Sequence, residues 1–184
     1  MSSVLDHRVP VAAEGEPGPL RLSAPPAKTL GLVMQKQQQD EWCWAGVSTS
    51  VSLYYDPKSG WTQCTVVNAG LKQTTCCADG GSEACDQPWQ LELALGIVGR
   101  LNRDFGGKLP MKAIAEQVEK TRPVGLCIDW KGGGGHFVVV DGYDEKAGKI
   151  DIKDPLFGHS VVAYDSFPES YQGGGTWGWT YLTK

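Results

Sequence analysis

A chain of 184 residues, 41% hydrophobic and 21% charged, has the makings of one folded domain with a short arm. Its net charge of -4 and pI near 5.4, with no block of like charges, argue against a nucleic-acid footprint. No apolar run is long enough to span a bilayer.

Residues 1–28 are rich in Pro, Ala, Gly and Glu and follow neither a helical nor a strand period. They are expected to form a flexible or loosely packed arm, with the domain over 29–184. The first residues lack a basic region followed by an apolar stretch, so they do not read as a Sec signal peptide.

The segment Met34 to Gln39 leads into Glu41-Trp42-Cys43-Trp44-Ala45-Gly46-Val47. From there to Tyr55 no proline intervenes, and Cys43, Val47, Val51 and Tyr54 fall near one helical stripe. Asp40 is the expected N-cap and Asp56-Pro57 the expected stop. Ala45, Gly46, Ser48 and Ser50 are small, which suits a helix pressed closely against its neighbours.

Six cysteines are present, at 43, 64, 76, 77, 85 and 127, and four of them crowd between 64 and 85. That spacing lacks the two Cys-x-x-Cys pairs of a zinc knuckle, so two disulfides are expected rather than a four-thiolate zinc site. Cys76 and Cys77 are adjacent and do not pair with each other. Either Cys64–Cys76 with Cys77–Cys85 or Cys64–Cys77 with Cys76–Cys85 satisfies the count. Disulfides of this kind staple loops in oxidising compartments, so export is expected.

Two more helices are predicted over 89–101 and 110–120, with Leu91, Leu95 and Val98 on one stripe and Met111, Ile114, Ala115 and Val118 on the other. After Pro123 the character changes to strands. Val124, Leu126, Ile128 and Trp130 alternate with other residues, and Phe137 to Val140 is continuously apolar, as a strand buried on both faces would be. Ile150 with Ile152, Val161 to Tyr164, and Trp177 to Tyr181 supply three further strands. Trp177 and Trp179 are expected to share one strand face and to pack or cover the domain. Cys127, inside an apolar strand, is expected to be an inert core thiol. Helices first and antiparallel strands afterwards describe an α+β domain.

A thiol is a good nucleophile only as thiolate, a form favoured by a helix N-terminus and a nearby imidazolium. Cys43 falls in the first turn of the predicted helix. Gln37, six residues earlier, carries an amide that can supply one donor to an oxyanion, with the Cys43 backbone N–H supplying the other. The bland alternative for Cys43 is a buried structural thiol in a tightly packed helix.

A base that titrates near neutrality must be sought among three histidines. His7 lies in the arm and His159 follows the third predicted strand. His136 follows Gly132 to Gly135 and opens the buried strand, so it is the candidate base. The glycine run reads equally well as room for a substrate backbone or as a simple strand-entry loop.

Asp154, at the end of the next strand, is the candidate to orient the imidazole. A hairpin turning at Glu145 to Gly148 sets Asp154 opposite Val139 or Val140, ~10–13 Å along the strand from His136. A β-bulge is needed to close that gap, and Gly142 and Gly148 can permit one. Asp141 is expected to point to the other face. Trp44, next to the candidate nucleophile, is placed near a substrate cleft.

Gln37, Trp42-Cys43-Trp44-Ala45, Gly135-His136-Phe137 with Gly142-Tyr143-Asp144, and Lys153-Asp154-Pro155 together resemble papain-like cysteine proteases. They are most similar to a compact bacterial group with a Trp-Cys-Trp-Ala motif that includes type III effector proteases of plant pathogens. The resemblance runs from about Met34 to the C-terminus. It implies a papain-like α+β fold with the nucleophile on the first helix, and Gln37, Cys43, His136 and Asp154 as oxyanion donor, nucleophile, base and orienting residue. Papain itself carries Cys-Gly-Ser/Ala-Cys-Trp/Tyr with its histidine ~130 residues downstream, so its substrate contacts do not transfer.

The expected activity is peptide-bond hydrolysis of a protein or peptide substrate, with no metal or organic cofactor and no nucleic-acid or membrane partner. A non-catalytic peptide-binding module on the same scaffold is the alternative, as is an amidase or acyltransferase using the same residues.

Overall fold

Between Ala27 and Lys184, the residues described by a computed structural model, the chain builds helices on a mostly C-terminal antiparallel sheet. Residues 1–26, with most of the expected arm and His7, lie outside the described residues. Ala27 and Lys28 belong to the fold: strand β1 (Ala27–Thr29) pairs with the strand that carries His136.

Helix α1 (Cys43–Tyr55) begins at the predicted place and stops at Asp56. Asp40 does not cap it. The N-cap is Trp42, no side chain bonds to the first turn, and the Asp40 carbonyl instead accepts from Gln37. A single apolar stripe was expected, yet every residue from Trp44 to Ser52 is buried. The helix runs through the protein rather than over it, which small residues permit. Ser48 and Ser50 donate their hydroxyls back to the carbonyls of Ala45 and Gly46. Gly46 is the point of closest approach, since a Cβ there would meet Pro155 Cβ at 3.1 Å.

Helix α2 (Gln63–Leu71) was not foreseen, because its only buried apolar residues are Val66 and Val67. A reciprocal cap between Thr62 and Thr65 starts it. The disulfide Cys64–Cys77 ties it to the loop that follows, and Cys76–Cys85 closes that loop on itself. Helix α3 (Leu91–Ile97) is shorter than 89–101, and its last turn gives way at Gly99, whose φ of 71° is left-handed. The chain then enters strand β2 (Leu101–Gly106), whose polar residues hid it at a sheet edge. Helix α4 (Met111–Glu119) buries Ile114, Ala115 and Val118, as its spacing predicts.

The remaining strands are β3 (Val124–Trp130), β4 (Gly135–Asp144), β5 (Lys149–Asp154), β6 (Gly158–Ala163) and β7 (Gly175–Thr183). Their order is β2-β7-β3-β4-β5-β6, with β1 also on β4, and every pairing is antiparallel. One core joins α1, α2 and α3 to Val139 and Tyr181 on one sheet face. The other joins α4 to Val138, Val140, Ile150, Ile152 and Trp177 on the opposite face. The Phe137–Val140 run is apolar throughout because β4 is covered on both sides.

Trp177 and Trp179 do not share a face. The β3–β7 register slips so that Cys127 pairs with Trp179 while Ile128 pairs with Trp177, leaving Gly178 as an extra residue. The bulge turns Trp177 into the α4-side core and leaves Trp179 exposed on the other side.

Candidate active site

Cys43 opens α1 and His136 is the second residue of β4, so the packing of α1 on β4 decides whether they meet. The crossing is close because Gly46 lies against Pro155 and the Gln37 N–H donates to the Pro155 carbonyl at 2.9 Å. The same segment that follows Asp154 therefore anchors both α1 and the chain leading into it.

A bulge brings Asp154 to His136. Val140 pairs with Ile152 and Gly142 with Asp151, so Asp141 is the extra residue in β4. The shift sets Lys153 opposite Val139 and leaves Asp154 level with Val138, one place nearer His136 than a regular hairpin gives. It also turns Asp154 onto the face that Val138 shares with His136. Asp141 holds the bulge: its carbonyl accepts the Leu30 N–H at 2.8 Å and its Oδ2 the Leu32 N–H at 2.9 Å. Gly142 has no room for a side chain, since a Cβ would lie 2.6 Å from Asp151 Oδ2 and 2.8 Å from Thr29 Oγ1.

His136 Nε2 and Asp154 Oδ1 lie 2.8 Å apart, and both residues are buried. Asp154 Oδ1 also accepts the N–H groups of Leu156 and Phe157, at 2.7 and 2.9 Å, and Oδ2 accepts the Tyr171 hydroxyl at 2.9 Å. Burial alone would raise this carboxyl, but the histidine and the two backbone donors outweigh it and hold the group below the ordinary carboxylate range. Burial likewise pulls His136 down, while hydrogen bonds to Asp154 and to the Cys43 thiol, together with their charges, carry it up to about 9. With Nε2 turned to Asp154, the ring presents Nδ1 to Cys43. The imidazole stacks on Trp130 at 5.8 Å and meets the edge of Phe157 at 5.9 Å, so its plane is fixed from both sides.

Cys43 lines a cleft of about 200 Å³ with Glu41, Trp44, Pro88, Trp89 and the start of β4. Trp44 borders it while fully buried, donating to the Gln87 carbonyl at 3.0 Å and packing edge-on against Trp89. The glycine run makes the turn into β4 and reaches the cleft. Gly133 and Gly134 have φ of 90° and 83° in the β3–β4 turn, and Gly135 forms part of the cleft wall.

Gln37 is close by but turned away. Its Nε2 donates to the carbonyls of Gln39 at 3.0 Å and Asp40 at 2.6 Å, and its buried Oε1 has no partner. Offering an N–H to an oxyanion means giving up one of these bonds, and an amide with one end unsatisfied rotates at reduced cost. Cys127 is half-buried with its thiol directed at Asp129 Oδ1, 3.6 Å away, and burial followed by that carboxylate pushes it up to about 12. His159 is exposed and pairs with Asp151 at 2.9 Å.

A family model described as the papain-like cysteine protease AvrRpt2 matches residues 26–172. The chain belongs to that family. It is a papain-like cysteine peptidase, and solved structures agree on the fold. A C39-like peptidase from Bacillus anthracis is similar at a TM-score of 0.54 and 16% identity, over 84% of this chain and 96% of that one. A cysteine protease from Carica candamarcensis is similar at 0.55 and 14% identity, over 87% and 99%. The peptidase domain of Streptococcus ComA gives 0.51 and 16%, over 83% and 98%. No curated protein sequence matches the chain.

Three neighbours of the His136–Asp154 pair in this peptidase escaped the sequence reading: Trp130, Phe157 and Tyr171. Phe157 had a signal in Asp154-Pro155-Leu156-Phe157, since an Asp before Pro starts a turn whose N–H groups return to its carboxylate. Trp130 faces the glycine turn before His136 and was legible only as a strand residue. Tyr171 reaches Asp154 from a long loop and left no local pattern.

Proposed function

We propose that this peptidase cleaves internal peptide bonds with Cys43 as nucleophile, His136 as acid–base and Asp154 as the residue that orients it. The supporting observation is that one buried imidazole is bonded to a carboxylate at 2.8 Å while its other nitrogen is left to the Cys43 side, where the thiol helps to raise it. In that setting the proton sits on the ring and the sulfur attacks as thiolate.

The Cys43 sulfur forms a bond to the peptide carbonyl carbon, and the carbonyl electron pair moves to oxygen. The Cys43 N–H, in the uncapped first turn of α1, faces no intrahelical acceptor and serves as one oxyanion donor. Gln37 serves as the other once one N–H leaves its carbonyl. The oxyanion collapses, the C–N bond breaks, and His136 gives its proton to the leaving amine. Water, deprotonated by His136, then attacks the thioester and releases Cys43 as thiolate. Asp154 stays ionised and keeps the ring in place.

The two disulfides support an exported protein that folds in an oxidising compartment. Peptide-library cleavage by the wild type beside Cys43→Ala tests the mechanism. Cuts made only by the wild type support it, and equal cleavage by both proteins refutes it.

A further inference from the structure

A second cavity, about 290 Å³, lies beside the Cys43 cleft and is walled by Glu92, Cys127, Asp129, Gly178, Trp179 and Tyr181. The two spaces share β3 and β4 as a partition. Cys127 Sγ is 3.3 Å from where a Cβ on Gly135 would sit, and Gly135 and Phe137 line the Cys43 cleft. Phe137 in turn packs edge-on against Tyr181, with centroids 5.9 Å apart. Cys127 pairs with Phe137, so the cavity sits one strand spacing, ~4.8 Å, from the start of β4. An extended peptide bridges that distance in one or two residues.

The walls have a consistent sign. Neither Glu92 nor Asp129 forms an ion pair among the described residues. Asp129 accepts only the weak S–H of Cys127, and Asp104 close by accepts the Trp179 indole N–H at 2.9 Å. Tyr181 is 4% exposed, and among the described residues its hydroxyl has no hydrogen-bond partner. A hydroxyl that opens onto a cavity without a protein partner has capacity for an incoming group. The phenol is driven upward by burial and then by Cys127, Glu92, Asp104 and Asp129, which identifies the negative field around it.

The bulge at Gly178 belongs to the same arrangement. A Cβ at that position would collide with Asp129 Oδ2, so only glycine leaves the carboxylate its place. The bulge also turns the half-exposed Trp179 indole toward this face, where a cation can lie against it.

We propose that this cavity is a specificity pocket for a lysine or arginine side chain flanking the scissile bond. Glu92 and Asp129 bind the cation, Trp179 flanks it and the Tyr181 hydroxyl accepts one of its N–H groups. The assignment rests on the peptidase reading of Cys43 and adds the substrate class.

Matched peptides that differ only in lysine, norleucine or glutamate at each position around a cut site test it, with kcat/KM as the readout. The wild type is expected to favour lysine over norleucine by about tenfold at one position and to reject glutamate there. In Glu92→Gln/Asp129→Asn that ratio falls to about one, the loss falling on the lysine peptide, and Tyr181→Phe lowers it several-fold. A wild type that cleaves with no lysine preference at any position overturns the pocket and leaves the peptidase standing, as does a preference that survives in the double variant. A wild type that cleaves none of the peptides refutes the peptidase reading, and the pocket falls with it.

Discussion

Replacing Asp154 by Asn isolates the charge of the His136–Asp154 pair while keeping its shape. The Asn carbonyl can still accept from His136 Nε2 and from the N–H groups of Leu156 and Phe157, and its amide can donate to the Tyr171 hydroxyl. What is lost is the carboxylate. His136 rises from 6.5 to about 9 on folding, which corresponds to ~3 kcal/mol of preference for the imidazolium in the native state. A base with a higher folded than unfolded pKa stabilises the fold fully below its unfolded value, and the contribution disappears as pH rises from 6.5 through about 9. Asp154, held low, contributes above its ordinary value of 3.8 and loses that contribution as pH falls through its folded pKa. These are two views of one interaction and count once. The Cys43 thiol shares in that rise, so Asp154→Asn is expected to be less stable than the wild type by ~1–3 kcal/mol at pH 6, with the gap closing by pH 10. Urea unfolding followed by fluorescence of the seven tryptophans at pH 6, 8 and 10 measures it. The basic limb of kcat/KM, near pH 9 in the wild type, moves to lower pH in the variant. A stability gap of equal size at pH 6 and pH 10 refutes the reasoning.

Gly46→Val drives a branched side chain into Pro155 and is expected to cost about 1–3 kcal/mol of stability and to reduce turnover by moving α1 away from β4; thermal melts and kcat together check this. Gln37→Ala is expected to lower kcat by about 10²–10³-fold with little change in KM, measured on any cleaved peptide. Reduction of the two disulfides under native conditions is expected to destabilise the fold by ~3 kcal/mol for a loop of the Cys64–Cys77 size, read as a lower urea midpoint with dithiothreitol.

Much of the candidate site was legible because its residues have strong local signatures. Cys43 stands in the proline-free run that ends before Pro57, and His136 stands between a glycine turn and an apolar strand. The disulfide spacing narrowed the pairings to two, and the structure adopts Cys64–Cys77 with Cys76–Cys85. The expected gap between Asp154 and His136 was real for a regular hairpin, and the bulge beside Gly142 closes it. That bulge is held by Leu30 and Leu32, more than 100 residues away in the chain, so no local pattern could place it at Asp141. The same limit hid the second bulge at Gly178 and put Trp177 and Trp179 on one face. Asp40 failed as a cap because its carbonyl is engaged by Gln37 and the helix starts two residues later than a cap there requires. α2 and β2 went unseen because disulfides and an edge position, rather than apolar periodicity, hold them.

Trapping the acyl-enzyme tests the central claim most directly. A cleaved peptide presented as an activated ester, quenched in acid and mapped by mass spectrometry, is expected to leave its acyl group on Cys43 alone, and to leave none on His136→Ala. An adduct on Cys127, or cleavage that persists in Cys43→Ala, contradicts the account.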